Sequence, residues 1–308
     1  MTGAIDVAEA IVRAACGDRV RRSFSMAPLT TFRIGGPAAL YLEPESDADL
    51  LAAGRALKES GLPFIVLGKG SNLLVSDTGF PGLVLRLGRG YRWAARDGDR
   101  LRAGGAMPLP ALSGVALRHR LAGLAFGVAI PATVGGAVRM NAGAHARSMG
   151  DVVTNVEVVH LTQGRSESIS GEDAGFGYRR SALPRDAVVT GVTVTLEPGD
   201  VTTIREEMDE ARDWRRRTQP LAEPNCGSVF KNPPGDHAAR LIESAGLKGR
   251  RAGGAHVSEK HANFIVADPG ARAADVWSLI REIQDAVLTD AGMRLEPEVH
   301  LVGAFDDR

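Results

Sequence analysis

The chain is short of several residue patterns, and each shortage removes a class of function. It has two cysteines, Cys16 and Cys226, far apart in 308 residues. Two cysteines so placed form neither a disulfide framework nor a C-x-x-C metal or redox motif. The seven histidines show no H-E-x-x-H or related spacing, so no metal is expected. There is no charge excess: Lys plus Arg number 37, as do Asp plus Glu. No overall field therefore draws in nucleic acid or an anionic membrane, and an anionic ligand must be met by local basic groups. No run approaches the roughly 20 apolar residues of a membrane span. The opening M-T-G-A-I-D-V-A-E-A-I carries two acids and no long apolar stretch, unlike a secretory signal. The expectation is a cytoplasmic monomer with no nucleic-acid or membrane partner.

Glycine, by contrast, is abundant and clustered, at 37 residues. Clustered glycine marks backbone that turns tightly or approaches a ligand closely. The length allows two or three compact domains, and 44% apolar residues is ordinary for a globular chain. Helical spacing is expected over residues 5–17, over 47–60 after a cap at Ser46 and Asp47, around 109–119, after Thr133, over 201–217, over 236–246 and over 271–291. Strands are expected around Leu40, at 63–67, 82–87, 152–160, 187–196, 263–266 and 297–302. E-P-G-D at 197–200 reads as a turn and a boundary. The fold class is α+β in three parts, 1–92, 93–199 and 200–308.

Two glycine clusters carry the first chemistry. In Val66-Leu67-Gly68-Lys69-Gly70-Ser71-Asn72-Leu73 a buried strand runs into a loop whose successive N–H groups can cradle phosphate oxygens. The spacing is neither G-x-G-x-x-G nor that of a P-loop, so Rossmann and Walker readings fail. A plain strand-end turn is the alternative. The second cluster runs from Gly127 through Pro131, Thr133, Gly135 and Gly136 to Asn141 and Gly143. So much bare backbone needs a close neighbour, either a packed helix or a ligand. Together they suggest one ligand with two phosphates and a planar part, held on a non-Rossmann fold.

Seven strings then occur in one order along residues 30–302: T-T-F-R-I-G-G-P, L-G-K-G-S-N-L-L-V, I-P-A-T-V-G-G-A-V-R-M-N-A-G-A, F-G-Y-R-R-S, G-S-V-F-K-N-P, H-V-S-E-K-H-A-N-F-I and L-E-P-E-V. With them the chain resembles the UDP-N-acetylenolpyruvoylglucosamine reductase family. The resemblance implies a two-part PCMH-type (vanillyl-alcohol-oxidase-like) FAD-binding domain, subdomains 1–92 and 93–199, plus a C-terminal α+β substrate domain, 200–308. It implies noncovalent FAD, with Gly68, Lys69, Gly70, Ser71, Asn72, Leu73, Pro131, Thr133, Gly135, Gly136, Asn141 and Gly143 as cofactor contacts. NADPH is the implied co-substrate. The implied reaction is reduction of UDP-N-acetylglucosamine enolpyruvate to UDP-N-acetylmuramate in peptidoglycan precursor synthesis. No long insertion with an extra clamping Tyr follows Tyr178, as in the family's shorter subtype.

That reaction puts a hydride on the methylene carbon of an enol ether and leaves an enolate to be stabilised and protonated. By resemblance Ser228 is the proton donor, Arg179 binds the substrate carboxylate and the enolate, and Glu298 assists. Arg suits a carboxylate through its planar, bidentate fork. Tyr178, Lys231 and Asn232 are the other implied substrate contacts. Arg180 and Glu296 read as surface neighbours, and Cys226 as a small spacer, since hydride addition needs no covalent intermediate. The R-R-R of 215–217 is either a solvated helix end or, through one Arg, part of a pyrophosphate site. Two other classes stay open at this point: an FAD oxidase of the same fold that passes electrons to oxygen, and a non-enzymatic flavin-binding module.

Overall fold

Ser46 starts the helix Asp47–Ser60 by a reciprocal cap: its hydroxyl accepts the Asp49 N–H, and the Asp49 carboxylate accepts the Ser46 N–H. Gly61, with φ of +67°, ends it. The inward face, Leu50, Ala53, Ala56 and Leu57, shares one core with Ala8 and Val12 of the helix Thr2–Cys16. Both helices bury that face with Leu40, Leu42, Leu83 and Leu85, from strands of a four-stranded sheet. The sheet order is Val20–Ser25, Pro37–Leu42, Phe80–Leu85, Phe64–Val66, the last two being parallel.

The computed structural model describes residues 2–305. The chain divides into two compact units, each discontinuous in sequence. The first holds the chain up to Ser23, Ala39–Lys69 and Pro81–Asp213; the second holds Phe24–Ala38, Gly70–Phe80 and the chain from Trp214 on. The first unit also contains a five-stranded antiparallel sheet, ordered Arg165–Ser170, Val153–His160, Ala187–Thr195, Arg100–Gly104, Ala94–Asp97. The helices Leu109–Arg118 and Val134–Arg139 close its core, with Leu112, Val115, Ala137 and Val138 meeting Val156, Val158, Val192 and Val194. The second unit is built on the helix Ala273–Ala291. Leu279, Ile280, Ile283 and Val287 share a core with Val257 and Ile265 from a three-stranded sheet. Phe32, Val229, Phe230 and Val299 complete that core.

The expected helices all form, within a few residues of their anticipated ends. Differences fall among the strands. Val20–Ser25, Ala94–Asp97 and Arg165–Ser170 carry little apolar alternation, and Arg100–Gly104 alternates only over Arg100–Ala103, yet each pairs in a sheet. Three of them are edge strands, Val20–Ser25 in the four-stranded sheet and Ala94–Asp97 and Arg165–Ser170 in the five-stranded one, where one side lacks a partner strand and polar residues are tolerated. The strand anticipated at 263–266 begins at Ile265, because the Asn263 side chain bridges the backbone N–H and C=O of Phe230. The strand anticipated at 297–302 narrows to His300–Val302 and pairs in parallel with Leu73–Val75. Among the described residues, no helix is long and apolar enough to cross a membrane.

Candidate active site

The first glycine loop begins where the strand Phe64–Val66 leaves its sheet. Leu67 still donates to the Leu85 carbonyl at 2.7 Å. Beyond it, none of the N–H groups of Gly68, Lys69, Gly70, Ser71 and Asn72 donates to a protein acceptor among the described residues. Five successive open donors are what a phosphate cradle needs. Gly70 has φ of +62°, and a Cβ there would lie 2.1 Å from the Leu29 carbonyl oxygen. Its own carbonyl accepts from Thr31 N–H at 3.1 Å, which ties the T-T-F-R-I-G-G-P string to the loop from below.

The second cluster uses its backbone differently. Val134 N–H donates to Met107 O at 2.8 Å and Gly135 N–H to Gly105 O at 2.9 Å. Gly136 N–H donates to the Thr133 hydroxyl at 3.3 Å, which caps the short helix. These amides are occupied. What the segment offers instead is uncovered backbone surface: a Cβ on Gly136 would meet only Thr133 Oγ1, at 3.3 Å. A Cβ on Gly68 would meet the same hydroxyl at 2.7 Å, so the two glycine segments touch through Thr133. Pro131 is exposed beside them. Open amides next to backbone stripped of side chains fit a ligand with phosphate oxygens and a flat body, and FAD has both.

Arg179 stands on a tight turn in the same unit. Gly177 and Arg180 exchange both main-chain hydrogen bonds, at 3.0 and 3.1 Å, with Tyr178 and Arg179 between them. Arg179 has φ of +56°, a conformation that L-residues other than Asn and Asp rarely adopt. Its guanidinium donates to the Gly143 carbonyl at 3.2 Å and lies 5.4 Å from the Tyr178 ring centroid. Tyr178 is 58% exposed, and Arg180 is exposed as well. Asn141, also left-handed at φ of +42°, is buried. Its side-chain oxygen accepts from Gly150 N–H, and its NH2 donates to Gly177 O.

Ser228 and Glu298 lie on two paired segments of the second unit. Main-chain bonds run from Glu298 N–H to Val229 O at 2.7 Å and from Lys231 N–H to Glu296 O at 2.9 Å, an antiparallel pairing around Phe230 and Pro297. Ser228 is half-buried, and its hydroxyl has no hydrogen-bond partner among the described residues. Its flanks are fixed: Asn225 Oδ1 accepts Gly227 N–H, and the Asn263 carbonyl accepts Val229 N–H. Lys231 is paired with the exposed Glu296, and Asn232 Oδ1 accepts the Ala238 N–H at the start of the helix Ala238–Ser244. Cys226 is buried, and burial together with the Glu298 carboxylate pushes its thiol far above the usual range. That suits a spacer and disfavours a nucleophile. Of the three consecutive arginines, Arg215 is half-buried and bonds Gln219, while Arg216 and Arg217 are exposed. Among the described residues, no group of three or more His, Cys, Asp or Glu could hold a metal.

Several bracing residues were given no role from the sequence. Asn225 lies outside the ordered strings; Asn263 and Arg139 lie inside them, and the Arg139 guanidinium reaches three carbonyls of the 183–187 segment. A lone Arg inside the small-residue run G-G-A-V-R-M-N-A-G-A was the available signal, since a charge there is either exposed or fully engaged.

Residues 38–170 match the family described as FAD binding domain, and residues 219–302 match that described as UDP-N-acetylenolpyruvoylglucosamine reductase, C-terminal domain. The chain is 47% identical over 276 residues to UDP-N-acetylenolpyruvoylglucosamine reductase of Heliobacterium modesticaldum, spanning 89% of this chain and 88% of that one. It is 46% identical over 286 residues to the enzyme of that name from an Anaeromyxobacter species, spanning 93% and 89%. The crystal structure of the reductase from Thermus caldophilus superposes with a TM-score of 0.81 at 38% identity, over 92% of this chain and 99% of that one.

Proposed function

This chain belongs to the UDP-N-acetylenolpyruvoylglucosamine reductase family, and from that premise we propose how its residues divide the work. It is an FAD-dependent oxidoreductase that reduces UDP-N-acetylglucosamine enolpyruvate to UDP-N-acetylmuramate, with NADPH as the electron source. FAD held in this fold would supply hydride chemistry, directed at the terminal methylene carbon of the enol ether. Everything else in the reaction is assigned to side chains and amides of the protein.

The open N–H groups from Gly68 to Asn72 take the cofactor's phosphate oxygens, and the bare surface at Gly136 takes its flat part. The three-part division into 1–92, 93–199 and 200–308 assigns flavin binding to the first two parts and substrate binding to the third. The spans of the two matched families support it. Arg179 binds the enolpyruvyl carboxylate and stabilises the negative charge that hydride addition leaves on the neighbouring carbon. Its left-handed backbone supports that reading, because strained residues that persist are held for a reason. Ser228 Oγ–H gives its proton to that carbon. A hydroxyl is a weak acid, and an enolate carbon is basic enough to take its proton. Glu298 polarises the substrate or returns the proton to the serine. Tyr178, Lys231 and Asn232 contact the substrate's remaining polar groups. We place the enzyme in the cytoplasm and read it as a monomer.

The observation that carries the assignment is the cross-strand pairing in which Val229 is bonded to Glu298, with the hydroxyl of the neighbouring, half-buried Ser228 uncommitted among the described residues. The test separates the two half-reactions anaerobically. Ser228→Ala is expected to bind FAD and be bleached by NADPH at the normal rate, then fail to recover its colour when the enolpyruvyl substrate is added. Recovery at the normal rate means that another group gives the proton. A wild-type protein that NADPH bleaches and substrate cannot reoxidise is not this reductase.

A further inference from the structure

The turn that carries Arg179 is held by three alternate residues of one segment, Arg139, Asn141 and Gly143. The Arg139 guanidinium donates to the carbonyls of Leu183 at 2.8 Å, Pro184 at 2.9 Å and Ala187. Ser181 Oγ donates back to the Arg139 carbonyl at 2.9 Å. Asn141 Nδ2 donates to Gly177 O at 2.9 Å, and its Oδ1 accepts Gly150 N–H at 2.8 Å. The Gly143 carbonyl accepts from Arg179 itself at 3.2 Å. The second glycine segment is thus bonded to the Arg179 turn at its base, its start and its tip.

Asn141 holds the critical point. Gly177 opens the turn, and its carbonyl receives both the Arg180 N–H and the Asn141 NH2. That second bond restrains the Gly177–Tyr178 peptide, the first of the turn that carries the left-handed Arg179. Few residues could do this from position 141. The backbone there is left-handed, which Asn tolerates well, and the side chain must present a donor on one side and an acceptor on the other. Asn141 is 8% exposed, and the main chain takes both its oxygen and its NH2. One bond goes to Gly150 and the other to the arginine turn, so both ends of the amide are taken by the protein's own main chain, which favours a brace over the direct cofactor contact that the resemblance implies.

We propose that Asn141 is a positioning residue for Arg179, coupling the flavin-side glycine segment to the group that receives the substrate carboxylate. The inference rests on the reading of Arg179 given above. Reaction geometry is sensitive to small displacements of such a group, so loss of the brace acts on substrate and leaves the cofactor in place. Asp in this position keeps the acceptor for Gly150 and sets a carboxylate oxygen against the Gly177 carbonyl. Gly keeps the backbone conformation and removes both bonds.

The test compares wild type, Asn141→Asp, Asn141→Gly, Arg179→Ala and the double variant Asn141→Asp/Arg179→Ala. Four quantities are read: FAD affinity by flavin fluorescence, the NADPH reduction rate, binding of substrate to the oxidised holoenzyme by flavin absorbance, and the substrate-driven reoxidation rate at saturating FAD. Asn141→Asp is expected to weaken substrate binding and slow reoxidation by about tenfold or more, with FAD affinity and NADPH reduction changed less than roughly twofold. On the Arg179→Ala background the same change is expected to cost less than roughly twofold, because the group it positions is gone. If Asn141→Asp does not fold, Asn141→Gly is read against the same expectations. Weaker FAD binding with normal reoxidation at saturating FAD makes Asn141 a cofactor contact and overturns the proposal. A full additional loss in the double variant also overturns it. An impaired Arg179→Ala beside a normal Asn141→Asp sinks the proposal alone, whereas a normal Arg179→Ala removes the reading of Arg179 itself.

Discussion

Asn72 Nδ2 donates to the main-chain carbonyl of Glu298 at 3.1 Å, across 226 positions of sequence. The Asn72 carbonyl in turn accepts the His300 N–H at 3.0 Å, and the strands Leu73–Val75 and His300–Val302 continue the pairing in parallel. The last residue of the first glycine loop is therefore a seat for the segment that carries the candidate carboxylate. Asn72→Ala removes the side-chain bond and leaves the Glu298 carbonyl without that donor. We expect a stability loss of about 1 kcal/mol. We also expect flavin reoxidation by substrate to slow by about tenfold at saturating FAD, since a carboxylate displaced by a fraction of an ångström loses alignment. Stopped-flow absorbance on FAD-saturated enzyme gives the rate, and an unchanged rate refutes the coupling.

Arg139 makes a prediction about stability. Its half-buried guanidinium is surrounded by carbonyls and pulled below its usual pKa by burial. Replacing it with Met keeps much of the stem and strands three acceptors. Each stranded acceptor costs roughly 1–3 kcal/mol, so Arg139→Met is expected to lose about 3 kcal/mol or more in urea unfolding. A loss below about 1 kcal/mol would mean that water replaces the guanidinium freely and that the 183–187 segment needs no brace.

A pH dependence follows from His261. Its Nδ1 accepts the Asn263 N–H at 3.2 Å, its ring meets Phe264 edge-on at 4.7 Å, and burial is the main cause that lowers its pKa below 6.5. In the unfolded chain the ring takes up its proton near the ordinary value. Between the folded and unfolded values the unfolded state holds more protons, so stability rises with pH there. The contribution is complete above about pH 6.5. It is lost as pH falls through the folded value, at no more than about 1.4 kcal/mol per pH unit for one proton. Unfolding free energies at pH 5.5 and 7.5 are expected to differ less in His261→Gln than in wild type. Equal differences would place the acid sensitivity elsewhere.

These residues also show where sequence was enough and where it was not. The cap at Ser46, the apolar faces of the long helices and the two glycine segments were legible, because each is a local pattern with a local cause. The strands Ala94–Asp97 and Arg165–Ser170 were not, because edge strands are specified by their partners. The glycine segments read alike in sequence, yet Gly68 to Asn72 keep their amides open while Val134 to Gly136 spend theirs on Met107, Gly105 and Thr133. That difference depends on which carbonyls the fold brings near, and no spacing encodes it. The ordered strings located Ser228 and Glu298 separately; their cross-strand pairing through Val229 is a tertiary fact.

The two kinds of glycine separate cleanly under the same substitution. A methyl group on Gly70 meets the Leu29 carbonyl oxygen at 2.1 Å on a left-handed backbone, so nothing short of moving main chain relieves it. Gly70→Ala is expected to lower the stability of the FAD-free protein and, with it, FAD retention. A methyl group on Gly136 meets only the Thr133 hydroxyl at 3.3 Å, inside a helical turn. Ala is preferred over Gly in a helix by up to about 1 kcal/mol. If the open side of Gly136 is where the cofactor lies, Gly136→Ala moves two quantities in opposite directions: the FAD-free protein unfolds at the same or higher urea concentration, while FAD binds at least about tenfold more weakly. Titration of the FAD-free variant by flavin fluorescence, beside its urea unfolding curve, reads both. Unchanged FAD affinity in Gly136→Ala would mean that this surface faces solvent in the holoenzyme, and that Gly136 has no part in holding the flavin.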